Sequence, residues 1–341
     1  MPIRKKDTVL FEKPPVIAAW AAAGGKKESE GPLASGFDFL TQDAAFSQAE
    51  CANWEQAESL LQQKAAEVCL RKAGSSRKAV DLALAGDLQA QCTASNYTMR
   101  ALEIPFAGVY GACSTMAETL CLGSCLIAGG TMRQVLAMTS SHFCAAERQF
   151  RTPLDYGAKR TPTAQWTATA AGACLLRPAG QTGVPVLSVT LGRVQDYAVR
   201  DINNMGAAMM PAAASTLLRF FAATGSSPED FDAIFTGDLG EVGSALLEEQ
   251  MAREGIPLPN HQDCGCLLYD VANQKVQAGG SGPGCSAAVL CTHILPKLRD
   301  GSYHRVLFMA TGALMSQTTF LQGESIPGIA HCVELAGEGM V

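Results

Sequence analysis

Gly74–Leu88 reads GSSRKAVDLALAGDL, and Gly225–Leu239 reads GSSPEDFDAIFTGDL. Seven of the fifteen positions are identical without a gap, at an offset of 151 residues: Gly74/Gly225, Ser75/Ser226, Ser76/Ser227, Asp81/Asp232, Gly86/Gly237, Asp87/Asp238 and Leu88/Leu239. The echo continues downstream. GACS at 111–114 is answered by GPGCS at 282–286. Val135-Leu-Ala-Met138 begins 22 residues after Cys113, and Val306-Leu-Phe-Met309 begins 21 residues after Cys285. A repeat this long means two similar half-domains rather than a solenoid of short units. The expected halves are residues 1–180 and 181–341.

Local pattern places elements on this frame. Val16–Trp20 reads as a first strand leading into a loop over Gly24–Pro32. Ala57–Ala73 has helical spacing and ends before Gly74. Val80–Ala85 is a short apolar strand. Tyr110–Cys113 turns sharply into a helix from Ser114 to about Ala128, and Val135–Thr139 is the next strand. The second half repeats the order: helix Ala212–Ala223, strand Ala233–Thr236, a turn into the helix Ser286 to about Leu298, and strand Val306–Ala310. Strand, helix, strand gives parallel βαβ units. Between the halves, Thr167–Leu176 looks like a strand pair, and Asn203-Asn204 could cap the helix approaching Met209.

Composition suits one compact α/β body. Apolar residues make up 48% of the 341, charged residues 17%, and there are 33 glycines. Small residues let helices sit close to strands. The net charge of −6 disfavours nucleic acid as a partner. No run of about 18 apolar residues predicts a membrane span. Arg4, Lys5 and Lys6 precede the apolar Val16–Ala23, but Asp7 and Glu12 interrupt that early segment, which reads as structure rather than a cleaved signal. The 13 cysteines are odd in number and have no repeating frame, which predicts reduced thiols. Cys264/Cys266 and Cys121/Cys125 lack a second Cys/His pair at zinc spacing, so they read as structural, and neither a metal site nor a cofactor is expected.

The chemistry centres on Cys113. A turn that delivers a cysteine to a helix N-terminus favours thiolate and gathers backbone N–H donors. With the duplication, this resembles the thiolase-like superfamily, which includes condensing enzymes of the ketoacyl-synthase III type. The resemblance implies an α/β fold, the duplicated five-layered α-β-α-β-α body, with Cys113 in the nucleophile position. It also implies a catalytic histidine in the segment Asp232–Leu239 and an asparagine in Gly279–Ser286. Neither residue is there. Condensation needs such groups to stabilise a thioester enolate, so it is disfavoured.

A closer resemblance covers essentially the whole chain. The segments at 24–33, 85–88, 110–115, 141–151, 161–167, 201–206, 263–265 and 282–287 are similar to those of the stage V sporulation AD family of endospore-forming bacteria. This resemblance implies a soluble or peripheral protein at the spore inner membrane, acting with other stage V A-group membrane proteins. It implies binding of dipicolinic acid, with calcium, in a remodelled cleft. The superfamily implies a homodimer. An anion site needs cationic and N–H donors, and Arg148, Arg151, Lys159 and Arg160 form the densest basic stretch after the N-terminus. The expected ligand contacts are Cys113, His142, Arg148, Arg151, Gly284 and Cys285. Asp87 and Asp238 read first as turn residues and second as calcium contacts. Two other readings stay open: an active acyltransferase using Cys113, and a membrane-complex scaffold with a vestigial cleft.

Overall fold

The computed structural model describes residues 2–43, 51–150 and 160–339. In the first half the principal elements are β1 (Val16–Gly24), α1 (Trp54–Lys72), β2 (Leu82–Gly86), α2 (Thr93–Leu102), β3 (Phe106–Gly108), α3 (Thr115–Ala128), β4 (Val135–Ser141), α4 (Phe143–Phe150) and β5 (Ala170–Arg177). The second half contains β6 (Val184–Thr190), α5 (Met205–Thr224), β7 (Ala233–Thr236), α6 (Gly240–Arg253), β8 (His261–Asp263), α7 (Pro283–Val289), β9 (Arg305–Ala313) and β10 (Gly328–Ala336).

The repeat is written into the sheets. The first runs β1-β5-β4-β2-β3 and the second runs β6-β10-β9-β7-β8. In both, the first two junctions are antiparallel and the last two parallel. Register is kept as well: Ala83 faces Leu136, and Ile234, 151 residues after Ala83, faces Leu307. The sheets meet where Ile17 pairs with Val184 and Val16 with Pro185. The basic N-terminus forms a hairpin, Pro2–Lys5 with Thr8–Phe11, that adds to β6.

Five layers follow. α1 and α2 cover one face of the first sheet, where Leu61, Cys69 and Met99 pack on Leu136, Met138 and Leu175. α5 and α6 cover the outer face of the second, with Phe220 and Met251 near Ile234 and Leu307. α3 and α7 lie between the sheets in the largest cluster. Their seats need small residues. A Cβ on Gly123 of α3 would crowd Leu176 of β5, and the neighbouring Cys121 thiol reaches the Cys332 carbonyl of β10 at 3.6 Å. Gly172 of β5 faces Ala287 of α7, and an added Cβ would stand 2.8 Å from the Ala287 methyl and carbonyl.

Local signals explain the boundaries. Asn53 accepts from the Gln56 N–H and starts α1. Asn204 accepts from Ala207 N–H and starts α5, which ends at Gly225 with φ +75°. α5 is, among the described residues, the helix with the length and composition to cross a bilayer, but 61% of it is buried in the protein. The helix expected from Ser286 continues beyond α7 only through a π turn, Leu290–Ile294, before Leu295–Arg299. Pro296 lacks the N–H that a regular helix would use there. Thr167–Leu176 is not a strand pair. Trp166-Thr167 pairs with Gly280-Ser281, and β5 is a separate long strand.

Overpacking a seat this tight costs about 1–3 kcal/mol. Gly172→Ala is therefore expected to lower the unfolding free energy by about that amount in urea titration. An unchanged midpoint would show that α7 is not held this closely.

Candidate functional site

Cys113 stands at the elbow the sequence indicated. Residues 112–114 form a 3₁₀ turn feeding α3, and Ala112 has φ +50°, a left-handed conformation that alanine rarely adopts. A turn forced this way aims the next side chain away from the helix axis. Gly312, near the end of β9, makes room for it: a Cβ there would overlap the Gly111 carbonyl and approach the Ser114 N–H. Cys113 is 9% exposed and borders a cavity of about 70 Å³. Ala146, Phe150, Met205, Met209 and Met315 give it an apolar wall, and Glu147, Gln165, Thr167, Asn203 and Ser281 give it polar points.

The thiol donates to the carboxyl of Asp238. Asp238 ends the strand in the segment where the superfamily resemblance places the histidine. It also accepts from the Gly282 N–H at 2.9 Å, Ser281 Oγ at 3.0 Å and Thr311 Oγ1 at 3.0 Å. Both missing partners of the condensing pattern are thus replaced by one carboxyl and the loop that binds it. Burial raises the Asp238 carboxyl to about 7. Burial, then the neighbouring Asp238 charge, push the Cys113 thiol well above its ordinary value, against the pull of the helix start. Asp263 fixes this corner by accepting from Leu239 and Gly240 N–H at 2.8 and 2.9 Å.

The other sequence candidates disperse. His142 does not line this cavity. It borders a separate one of about 90 Å³ with Lys26, Lys27, Glu28, Phe143 and Trp166. Arg148 does not line it either: its guanidinium pairs with Glu55 and lies over Trp54. Arg151 and Lys159 lie outside the described residues. Cys285 is fully buried, and the Gly284 N–H donates to Ser141 Oγ at 3.2 Å, so the second elbow packs against β4 rather than opening onto the cavity. None of the five histidines borders the Cys113 cavity.

Asp87, the repeat partner of Asp238, has a different setting. It accepts from Gln89 N–H, Ser95 N–H and Ser95 Oγ, at 2.7–2.9 Å. Its neighbour is Glu58, which accepts from Ser140 Oγ and Gln89 Nε2 and is raised to about 8, first by burial and then by the Asp87 charge. Sequence reading passed over Asp238 as a turn residue and did not single out Glu147, Gln165 or Ser281. The signal for Asp238 was present in the repeated Gly-Asp-Leu.

Several solved structures share this architecture. A 3-oxoacyl-(acyl-carrier-protein) synthase III from Aquifex aeolicus matches with a TM-score of 0.58 at 13% identity, over 94% of this chain and 99% of that one. An OleA variant from Xanthomonas campestris matches at 0.61 and 14%, over 96% and 99%. The fold is thiolase-like. At the sequence level, the profile of the stage V sporulation protein AD (SpoVAD) family matches residues 5–336, and the stage V sporulation protein AD of Bacillus subtilis is 42% identical over 336 residues, 98% of this chain and 97% of that protein. The chain belongs to the stage V sporulation protein AD family.

Two outcomes follow from these environments. Asp238→Asn removes the charge that opposes the thiolate, so alkylation of Cys113 by iodoacetamide at pH 8, followed by peptide mass spectrometry, is expected to accelerate severalfold. An unchanged rate would mean that burial alone protects the thiol. The raised Glu58 carboxyl contributes stability fully below its unfolded value near 4.5 and loses it as pH rises through about 8. Glu58→Gln should therefore narrow the difference in Tm between pH 5 and pH 9, and a difference as wide as wild type would refute the buried acid.

Proposed function

We propose that this protein binds dipicolinic acid, with or as its calcium chelate, in the cavity beside Cys113, and supports its uptake into the developing spore without acyl transfer. One observation carries the non-catalytic part: the Cys113 thiol is held as a donor to Asp238. A nucleophilic cysteine needs a lowered pKa and a base that removes its proton. Here a carboxyl raised to about 7 adds negative charge beside the sulfur. The residues that would stabilise an enolate are also replaced.

The ligand reading rests on the family and on cavity chemistry. The family name places the protein in sporulation. Dipicolinate is a flat ring with two carboxylates. The methionine and phenylalanine walls suit the ring, while Asn203, Gln165, Thr167 and Ser281 supply polar contacts along one side. Among the described residues no group of three His, Cys, Asp or Glu side chains is arranged to hold a metal, which favours calcium arriving on the ligand. The same reading includes a homodimer and a peripheral place at the spore inner membrane beside A-group membrane partners.

Isothermal titration with dipicolinate, with and without calcium, tests this. Saturable binding is expected, weaker for isophthalate, which lacks the ring nitrogen, and unchanged in Arg148→Ala because that side chain is engaged elsewhere. Absence of heat and of thermal shift at millimolar ligand would reject direct recognition. A stable acyl adduct on Cys113 after incubation with acyl-CoA would instead establish the transferase.

A further inference from the structure

No lysine or arginine borders the Cys113 cavity among the described residues. A dicarboxylate nevertheless calls for a cation with a forked donor set. Arg160 stands directly behind the polar wall. Its Nη1 donates to the Gln165 carbonyl at 2.8 Å, and its Nη2 pairs with Glu147 Oε2 at 3.0 Å. Gln165 and Glu147 both border the cavity, so each known contact of the guanidinium belongs to a lining residue. The side chain is 19% exposed and that of Glu147 6%.

Aromatic rings set the plane of the guanidinium. Its central carbon lies 5.1 Å from the ring centres of both Phe143 and Trp166. Those rings stack on each other at 4.0 Å, and Lys27 Nζ sits 4.3 Å from the Trp166 ring. Stacking leaves the N–H donors pointing outward in the plane, where a carboxylate accepts them in pairs. Glu147 occupies that direction. Its other oxygen accepts from Thr167 Oγ1 at 3.2 Å.

We propose that Arg160 is the anion-recognising residue of this cavity and that Glu147 is its resting counter-ion, an internal carboxylate displaced by a carboxylate of the ligand. The inference rests on the reading of the cavity as an aromatic dicarboxylate site. Exchange keeps the guanidinium paired throughout, which avoids an isolated buried charge. The displaced Glu147 keeps its bond from Thr167 but loses its salt bridge, and that loss is subtracted from the affinity. Glu147 therefore acts as a built-in competitor: ligands with weaker carboxylate contacts fail to displace it.

Titration of the full chain with dipicolinate decides the matter, using wild type, Arg160→Gln, Arg160→Lys and Glu147→Gln. Loss of a charge-assisted pair predicts about 10- to 100-fold weaker binding in Arg160→Gln. Arg160→Lys keeps the charge but loses the fork and should be nearly as weak. Glu147→Gln removes the competitor and should bind severalfold more tightly. A merely structural ion pair would give the opposite pattern, with Glu147→Gln and Arg160→Gln weakened together as their Tm falls, and that result overturns the proposal. Equal affinity in wild type and Arg160→Gln overturns the assignment of Arg160 while leaving the ligand reading intact. No binding by wild type overturns both. Should Arg160→Gln not fold, the direction of change in Glu147→Gln still settles the question.

Discussion

The structure depends on two helices fitting between two sheets. α3 and α7 are covered on both sides, so every element around them must come close. That requirement accounts for Gly123 beneath Leu176, Gly172 against Ala287 and the alanine-rich β1. Interiors pack to near-crystalline density, and a single added methyl at these points has nowhere to go. The same constraint positions the chemistry. Because the two helices begin at the sheet ends, their elbows are pressed against the opposing half, and Gly312 of the second half abuts the Cys113 turn of the first.

Within that frame the duplicated halves have diverged in what they do with equivalent residues. Both copies of Gly-Asp-Leu end a strand with a buried aspartate. Asp87 turns toward α2 and shares its surroundings with Glu58, forming a polar knot of Ser95, Ser140 and Gln89. Asp238 turns toward the Cys113 thiol and the second elbow. The cavity is also asymmetric. It opens at the first elbow, between α4 and the start of α5, while Cys285 is sealed under the loop from β8 to α7. One carboxyl in place of a histidine and an asparagine turns a site built for enolate chemistry into one that keeps its thiol protonated.

A good deal of this was legible in the chain. The 151-residue offset gave two equal halves, and the strand orders 1-5-4-2-3 and 6-10-9-7-8 follow the same path. The cysteine elbow was visible because Gly-Ala-Cys-Ser follows a strand and precedes an apolar helical run. The helix cap at Asn204 was legible from local hydrogen-bonding chemistry alone. The ligand contacts were not. His142 and Arg148 looked like cavity residues because they follow β4, but a helix turns its side chains through 100° per residue, and α4 sends Glu147 and Phe150 inward and Arg148 outward to Glu55.

The sequence by itself determined the duplication, the layer order and the presence of a cysteine at a helix start, because these rest on periodicity and on turns formed by neighbours in the chain. Only the tertiary structure decided which of two identical aspartates meets the thiol, which arginine stands behind the cavity and which histidine is walled off from it. Those choices depend on contacts between residues more than a hundred positions apart. Asp238 reaches Cys113 across the two halves, and the strap from Arg160 to Thr167 reaches the second half through Gln165, which donates to the Asp238 and Gly280 carbonyls. No local pattern records such a meeting, since either copy of the repeat could have supplied it.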